Sequence, residues 1–143
     1  MKLVIGSDSK GFELKEHLKN YLTDLGFSVQ DETPEEDLDF YDATTRVVNV
    51  IQNEKADKGI VIDEYGAGSF MVACKHKGII CANTFDEHSA FMTRGHNNSN
   101  IITIGSGIVG EKLAEKIAET FAKAEYDGGR HQVRVDMLNK MND

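Results

Sequence analysis

Two arginines four residues apart, Arg130 and Arg134, flank His131 at the start of what reads as the last helix of this 143-residue chain. Guanidinium groups at i and i+4 project from one helical face, so the pair can grip a single phosphate. The helix dipole favours acidic groups in the first turn and basic ones in the last. A basic cluster that ignores the dipole points to an anion supplied from elsewhere. The segment Thr93-Arg94-Gly95-His96-Asn97-Asn98, read as a loop before the fifth strand, pairs naturally with that cluster. His96 is its candidate proton-transfer group, because an imidazole changes charge near neutral pH. A lone loop histidine is nevertheless more often structural.

Two acidic constellations follow strands. In Gly6-Ser7-Asp8-Ser9-Lys10-Gly11, Asp8 stands at a strand's carboxyl end, where it either caps the next helix or holds hydroxyl groups of a ligand. In Ile62-Asp63-Glu64-Tyr65-Gly66-Ala67-Gly68-Ser69, a buried-type strand ends in paired carboxylates and a glycine-containing turn. Backbone N–H groups in such a turn can hold an anion or a developing oxyanion, and a carboxylate beside it can act as general base. An acidic strand end with a purely steric turn is the plainer alternative. Gly105-Ser106-Gly107-Ile108-Val109-Gly110 matches the dinucleotide pattern GxGxxG, but no strand ending in an acidic residue follows its helix, which favours a tight turn. Cys74 and Cys81 have no CxxC spacing and read as buried thiols.

The elements that must position these residues alternate cleanly. Lys2–Ser7, 27–30, Lys58–Asp63, 78–83 and 100–105 read as strands, and the segments 10–25, 41–53, 68–75, 86–94 and 108–124 between and after them carry apolar residues at helical spacing. The acidic run 31–39 reads as a solvent loop. The Tyr126-Asp127-Gly128-Gly129 stop precedes a C-terminal helix over 130–141, with Val133, Met137 and Leu138 as its apolar face. The expected fold is α/β: a three-layer Rossmann-like (flavodoxin-like) five-stranded parallel sheet with helices on both faces and a C-terminal helix, in one domain over 1–143. Such sheets place ligands at the carboxyl ends of their strands.

A formal net charge of −8 disfavours nucleic acid and anionic lipid as partners. No apolar run approaches a bilayer's thickness, and Met1 leads directly into a strand pattern, so a cytoplasmic location is expected.

The strings GSDSKGFELKE, RGHNNSN and GGRHQVR, spaced along essentially the whole chain, resemble the ribose-5-phosphate isomerase B and galactose-6-phosphate isomerase family. DEYGAGSFMVA, TRGHNNSN and YDGGRHQVRVDMLNKM are most similar to its galactose-6-phosphate branch, specifically the A-type subunits that work with a related B-type subunit. The resemblance implies aldose–ketose isomerisation of galactose 6-phosphate and tagatose 6-phosphate through a cis-enediolate, with no metal or organic cofactor. It assigns ring opening to His96, and sugar-phosphate binding to Asn97, Arg130, Arg134 and Asp8.

The chain departs from the active family pattern at two places. Ser9 stands where that pattern has His after the first-turn Asp, and Asp63-Glu64-Tyr65-Gly66 stands where it has Cys-Gly-Thr-Gly. In the family the thiolate is the base, and the glycine-rich turn holds the enediolate. Bulk and negative charge there would destabilise such an intermediate. The resemblance therefore implies a hetero-oligomer: a homologous B-type subunit donates the base and turn, while this chain donates His96, Asn97 and the arginines. Three alternatives stay open: a self-sufficient homodimer with Asp63 as base, a noncatalytic sugar-phosphate-binding subunit, and a flavodoxin-like nucleotide module.

Overall fold

Short apolar runs form one all-parallel sheet in the computed structural model, which describes residues 1–142. The strands are β1 (Lys2–Ser7), β2 (Ser28–Asp31), β3 (Lys58–Asp63), β4 (Cys81–Asn83) and β5 (Ile101–Gly105), in the order β2-β1-β3-β5-β4. The flavodoxin order 2-1-3-4-5 differs only in the last two places, so the three-layer expectation holds with β4 at the edge. The helices are α1 (Phe12–Asp24), α2 (Phe40–Gln52), α3 (Ala67–Cys74), α4 (Glu87–Asn97), α5 (Glu111–Lys123) and α6 (Gln132–Lys140).

Alternation along the strands divides the core in two. Leu3, Ile5, Ile60, Ile62, Ile102 and Ile104 pack with Leu18 and Leu22 of α1 and with Ile117 and Phe121 of α5. Val4, Val61 and Ile101 point the other way, in a cluster with Val47, Val48 and Ile51 of α2 and Ala73 of α3. Every β3 position is buried, as a central parallel strand covered on both faces requires. Lys58 tolerates that burial because its Nζ donates to the carbonyls of Phe121, Ala122 and Ala124 at 2.7–3.0 Å, which ties the amino end of β3 to the end of α5.

Three local expectations change. First, α4 runs past Arg94 to Asn97, so His96 and Asn97 occupy a helix's last turn rather than a loop; Asn98 ends the helix in the left-handed conformation, φ 55°. Second, the run 31–39 is only partly a solvent loop. Asp31 belongs to β2 and accepts from Lys15 and Lys19, and buried Thr33 accepts the Ser7 N–H at 2.8 Å. Third, α6 buries Val135, while Val133, Met137 and Leu138 are exposed. The helix is held at its far end, where the Asn142 amide donates to the carbonyls of Cys74 and His76.

Candidate functional site

Each helix that follows a strand runs back to the other end of the sheet, and this separates the two sets of polar residues. Asp8, Asp63 and Glu64 follow the carboxyl ends of β1 and β3. His96 and Asn97 end α4, just before the amino end of β5, and the residues after α5 return to that same end. Eleven residues of α4 span about 16 Å. The expectation that all ligand groups sit at the carboxyl ends is therefore corrected for His96, Asn97, Arg130 and Arg134.

At the carboxyl end, Asp8, Lys10, Phe40, Asp63, Glu64, Tyr65, Ala67 and Gly68 line a cleft of about 240 Å³. Its turn is already occupied. Asp63 accepts the Gly66 N–H with one oxygen and the Ser69 N–H at 3.1 Å with the other. The donors that an oxyanion would need are thus spent on the chain's own carboxylate. Gly66 is required here: its φ is +77°, and a Cβ would lie 2.5 Å from Asn83 Oδ1. Asp8 accepts the Gly11 N–H at 2.9 Å, ahead of α1. Burial raises its pKa against the Gly11 hydrogen bond, and the nearby Asp63 and Glu64 raise it further. Three carboxylates around one cleft repel a phosphate.

The GxGxxG segment is likewise closed. Ser106 and Gly107 donate their N–H groups to the Asp63 and Glu64 carbonyls at 2.8 and 2.7 Å, and a Cβ on Gly105 would come within 2.6 Å of the Tyr65 backbone. These amides are turned to the neighbouring loop rather than to a pyrophosphate, and α5 leads to α6 instead of to another strand.

At the amino end the groups converge and remain open. The rings of His96 and His131 stack with centroids 4.2 Å apart and planes 14° from parallel. Asp127 Oδ2 lies 3.8 Å from His96 Nε2, and the Asp127 N–H donates to the Gly95 carbonyl at 2.9 Å, anchoring the incoming chain on α4. Buried Gly95 permits this approach, since a Cβ would meet the Asp127 carboxylate at 3.3 Å. Thr93 Oγ1 donates to Asn97 Oδ1 at 3.0 Å and pairs with Ser99 Oγ at 2.6 Å, fixing the asparagine. Arg94 donates to Asn98 Oδ1 and the Ser99 carbonyl, bracing the left-handed turn.

Arg130 lies in a 3₁₀ turn, Gly129–His131, that runs into α6, so the arginine pair spans a 3₁₀-to-α junction rather than one continuous helix. Both arginines are exposed and make no ion pair among the described residues. Ligating atoms of His96, Asp127 and His131 lie within 4.8 Å of one another. Near-parallel rings direct their in-plane lone pairs side by side, not toward one tetrahedral centre. Asp127 was not legible as a site-builder in the sequence, and Arg94 stood within the segment 93–98 without a role of its own. The YDGG stop marked the end of a helix but not its contact with Gly95.

Against known proteins, residues 3–138 match the family model described as ribose/galactose isomerase. A galactose-6-phosphate isomerase subunit LacA of Clostridium acetobutylicum is 56% identical over 141 residues, covering 99% of both chains. One from Streptococcus mutans is equally similar, with the same coverage. Among solved structures, a ribose 5-phosphate isomerase of Thermotoga maritima superposes with a TM-score of 0.93 at 37% identity over 97% of both chains. Ribose-5-phosphate isomerase B of Mycoplasma genitalium, with bound ribulose-5-phosphate, gives 0.90 at 33% identity over 98% of this chain and 95% of its own.

Proposed function

We propose, from the premise that this chain belongs to the ribose/galactose isomerase family, that it is the A-type subunit of a galactose-6-phosphate isomerase and works on a site shared with a B-type subunit. The observation that carries the activity is the 56% identity to LacA subunits over 99% of both chains. The reaction interconverts galactose 6-phosphate and tagatose 6-phosphate.

Sharing is supported by the Asp63 carboxylate, which fills its own turn, and by the placement of His96 and the arginines at the opposite end of the sheet. Helix α6 and the residue that follows it also present Val133, Met137 and Met141 at 61–78% exposure beside the arginines, an apolar face suited to burial against another subunit. In the proposed mechanism Arg130 and Arg134 anchor the phosphate, Asn97 contacts the sugar, and His96 moves the proton that opens the ring. A base on the partner subunit takes the C2 proton, and the cis-enediolate is reprotonated at C1 while the oxygen-bound proton shifts from O2 to O1. The arginines contribute positioning, so that the far end of the substrate meets the base. Asp8 retains a hydroxyl-binding assignment only within the acidic cleft, where Asp63 and Glu64 keep phosphate away.

The test is to purify this chain alone, the B-type partner alone, and the two together. Isomerisation of galactose 6-phosphate is expected only from the mixture. Full activity from the lone chain would overturn the shared site and return Asp63 to candidacy as base.

A further inference from the structure

Neither cysteine has a part in the proposed isomerisation, yet the two are brought together. Cys74 ends α3, Cys81 begins β4, and the intervening chain turns back through Gly78 at φ +77°. Cys74 Sγ lies 3.9 Å from the Cys81 carbonyl oxygen, so the first thiol is seated on the backbone of the second. Both line a cavity of about 550 Å³ between the β4 edge and the end of α6, with Phe70, Leu138 and Met141 among its walls and no charged side chain among the described residues. A small neutral oxidant can enter such a space without losing the hydration that a charged one would lose.

We propose that Cys74 and Cys81 are a redox modification site, a dithiol that hydrogen peroxide converts to an intramolecular disulfide. The Cys74 thiolate attacks one peroxide oxygen; the S–O bond forms, the O–O bond breaks, and the departing hydroxide takes up the proton that Cys74 released. The Cys81 sulfur then attacks the Cys74 sulfur. The S–S bond forms, the S–O bond breaks, and the hydroxyl leaves as water with the Cys81 proton. Two thiols are oxidised by two electrons in all, and one peroxide is reduced to two waters.

The environment sets the order of attack. The neighbouring Cys81 side chain, outweighing partial burial and helped by the Cys81 backbone, holds Cys74 down at about 7. The same pairing, together with burial, pushes Cys81 well above the usual thiol range. These directions favour Cys74 as the attacking sulfur and Cys81 as the resolving one. The Asn142 amide donates to the Cys74 carbonyl at 2.9 Å, so the pair sits directly under the end of α6.

The experiment treats the reduced full-length chain with hydrogen peroxide, alkylates it, and maps tryptic peptides. The expected result is a link between the peptides spanning 59–75 and 78–94, with an intact-mass loss of about 2 Da that dithiothreitol reverses. In Cys81→Ser, dimedone should trap a sulfenic acid on Cys74; in Cys74→Ser, Cys81 should stay reduced. Three results would overturn the proposal: both thiols free after treatment, Cys74 driven to sulfinic acid without a link, or links found only between chains in a mixed-isotope sample. Should either serine variant fail to fold, the peptide map of the unsubstituted chain still decides.

Discussion

The His96 ring is stacked on the His131 ring, 4.2 Å centroid to centroid, and this contact adds to the loss of hydration that disfavours charge on His131. Two imidazolium ions in face contact repel, which disfavours the charged form of His131. Loss of hydration lowers its pKa first, then His96 and Arg130, against the opposing carboxylate of Asp127. In an NMR titration the His131 imidazole is expected to show a midpoint below 6.5, the ordinary histidine value, and Asp127→Asn should lower it further. The sign for stability follows. Between the depressed value and 6.5 the unfolded chain binds more protons than the folded one, so this group's contribution falls as pH falls through that window. A midpoint at or above 6.5 would remove the argument.

Asp63 is the second test. Its two oxygens accept the Gly66 and Ser69 N–H groups inside a buried turn, and Asp63→Ala leaves both donors unpaired. The loss should be about 1–3 kcal/mol for each buried donor left unmade, read as a lower denaturant midpoint. Turnover by the assembled two-subunit enzyme should survive at temperatures where the variant stays folded. Abolished turnover in a folded complex would mean that the carboxylate does chemistry.

The strand pattern and both helical layers were legible because buried parallel strands read as continuous apolar runs and amphipathic helices carry a stripe. β3, Lys58–Asp63, has the bounds that its sequence implied. The edge strand was less legible: β4 keeps only Cys81–Asn83 of an apolar run that began at Gly78, because periodicity cannot say where pairing with β5 begins. His96 and Asn97 were identified by type and motif, but their place at the amino end of the sheet depends on α4 running three residues beyond Arg94. Composition is silent on that. Nor could spacing show that Asp63 turns inward onto Gly66 and Ser69, since the same letters fit an open anion-binding turn. On α6, the helical period correctly grouped Val133 and Met137, but it could not distinguish a face packed on this chain from one left exposed for another.

Within the assembled enzyme, His96 and the arginines should fail differently. Removing a proton-transfer group from His96→Ala is expected to lower kcat on galactose 6-phosphate by about 10²-fold or more. Binding of the sugar phosphate should be retained. Arg130→Ala or Arg134→Ala removes a charged hydrogen bond to phosphate, worth about 1.5–3 kcal/mol, and should appear chiefly in KM as a rise of about 10- to 100-fold. Steady-state kinetics of the mixed subunits separates the two patterns. Unchanged kinetics for all three variants would leave this chain a scaffold.

Lys58 offers a test at the amino end of the sheet that is independent of catalysis. Its side chain is 5% exposed and donates to three carbonyls at the end of α5. Lys58→Met keeps much of the volume but leaves those carbonyls without their donor, at a cost of about 1–3 kcal/mol for an unsatisfied buried group. Burial, reinforced by the charge of Arg94, pushes the Lys58 ammonium down to about 8 from 10.5. Between those values the unfolded chain holds the proton more tightly, so Lys58 makes unfolding free energy rise with pH across that window. Urea unfolding at pH 7.5 and pH 10 should show this rise in the unsubstituted chain and a flatter dependence in Lys58→Met. An equal pH dependence in the two proteins would mean that the folded chain leaves the lysine's proton affinity unchanged.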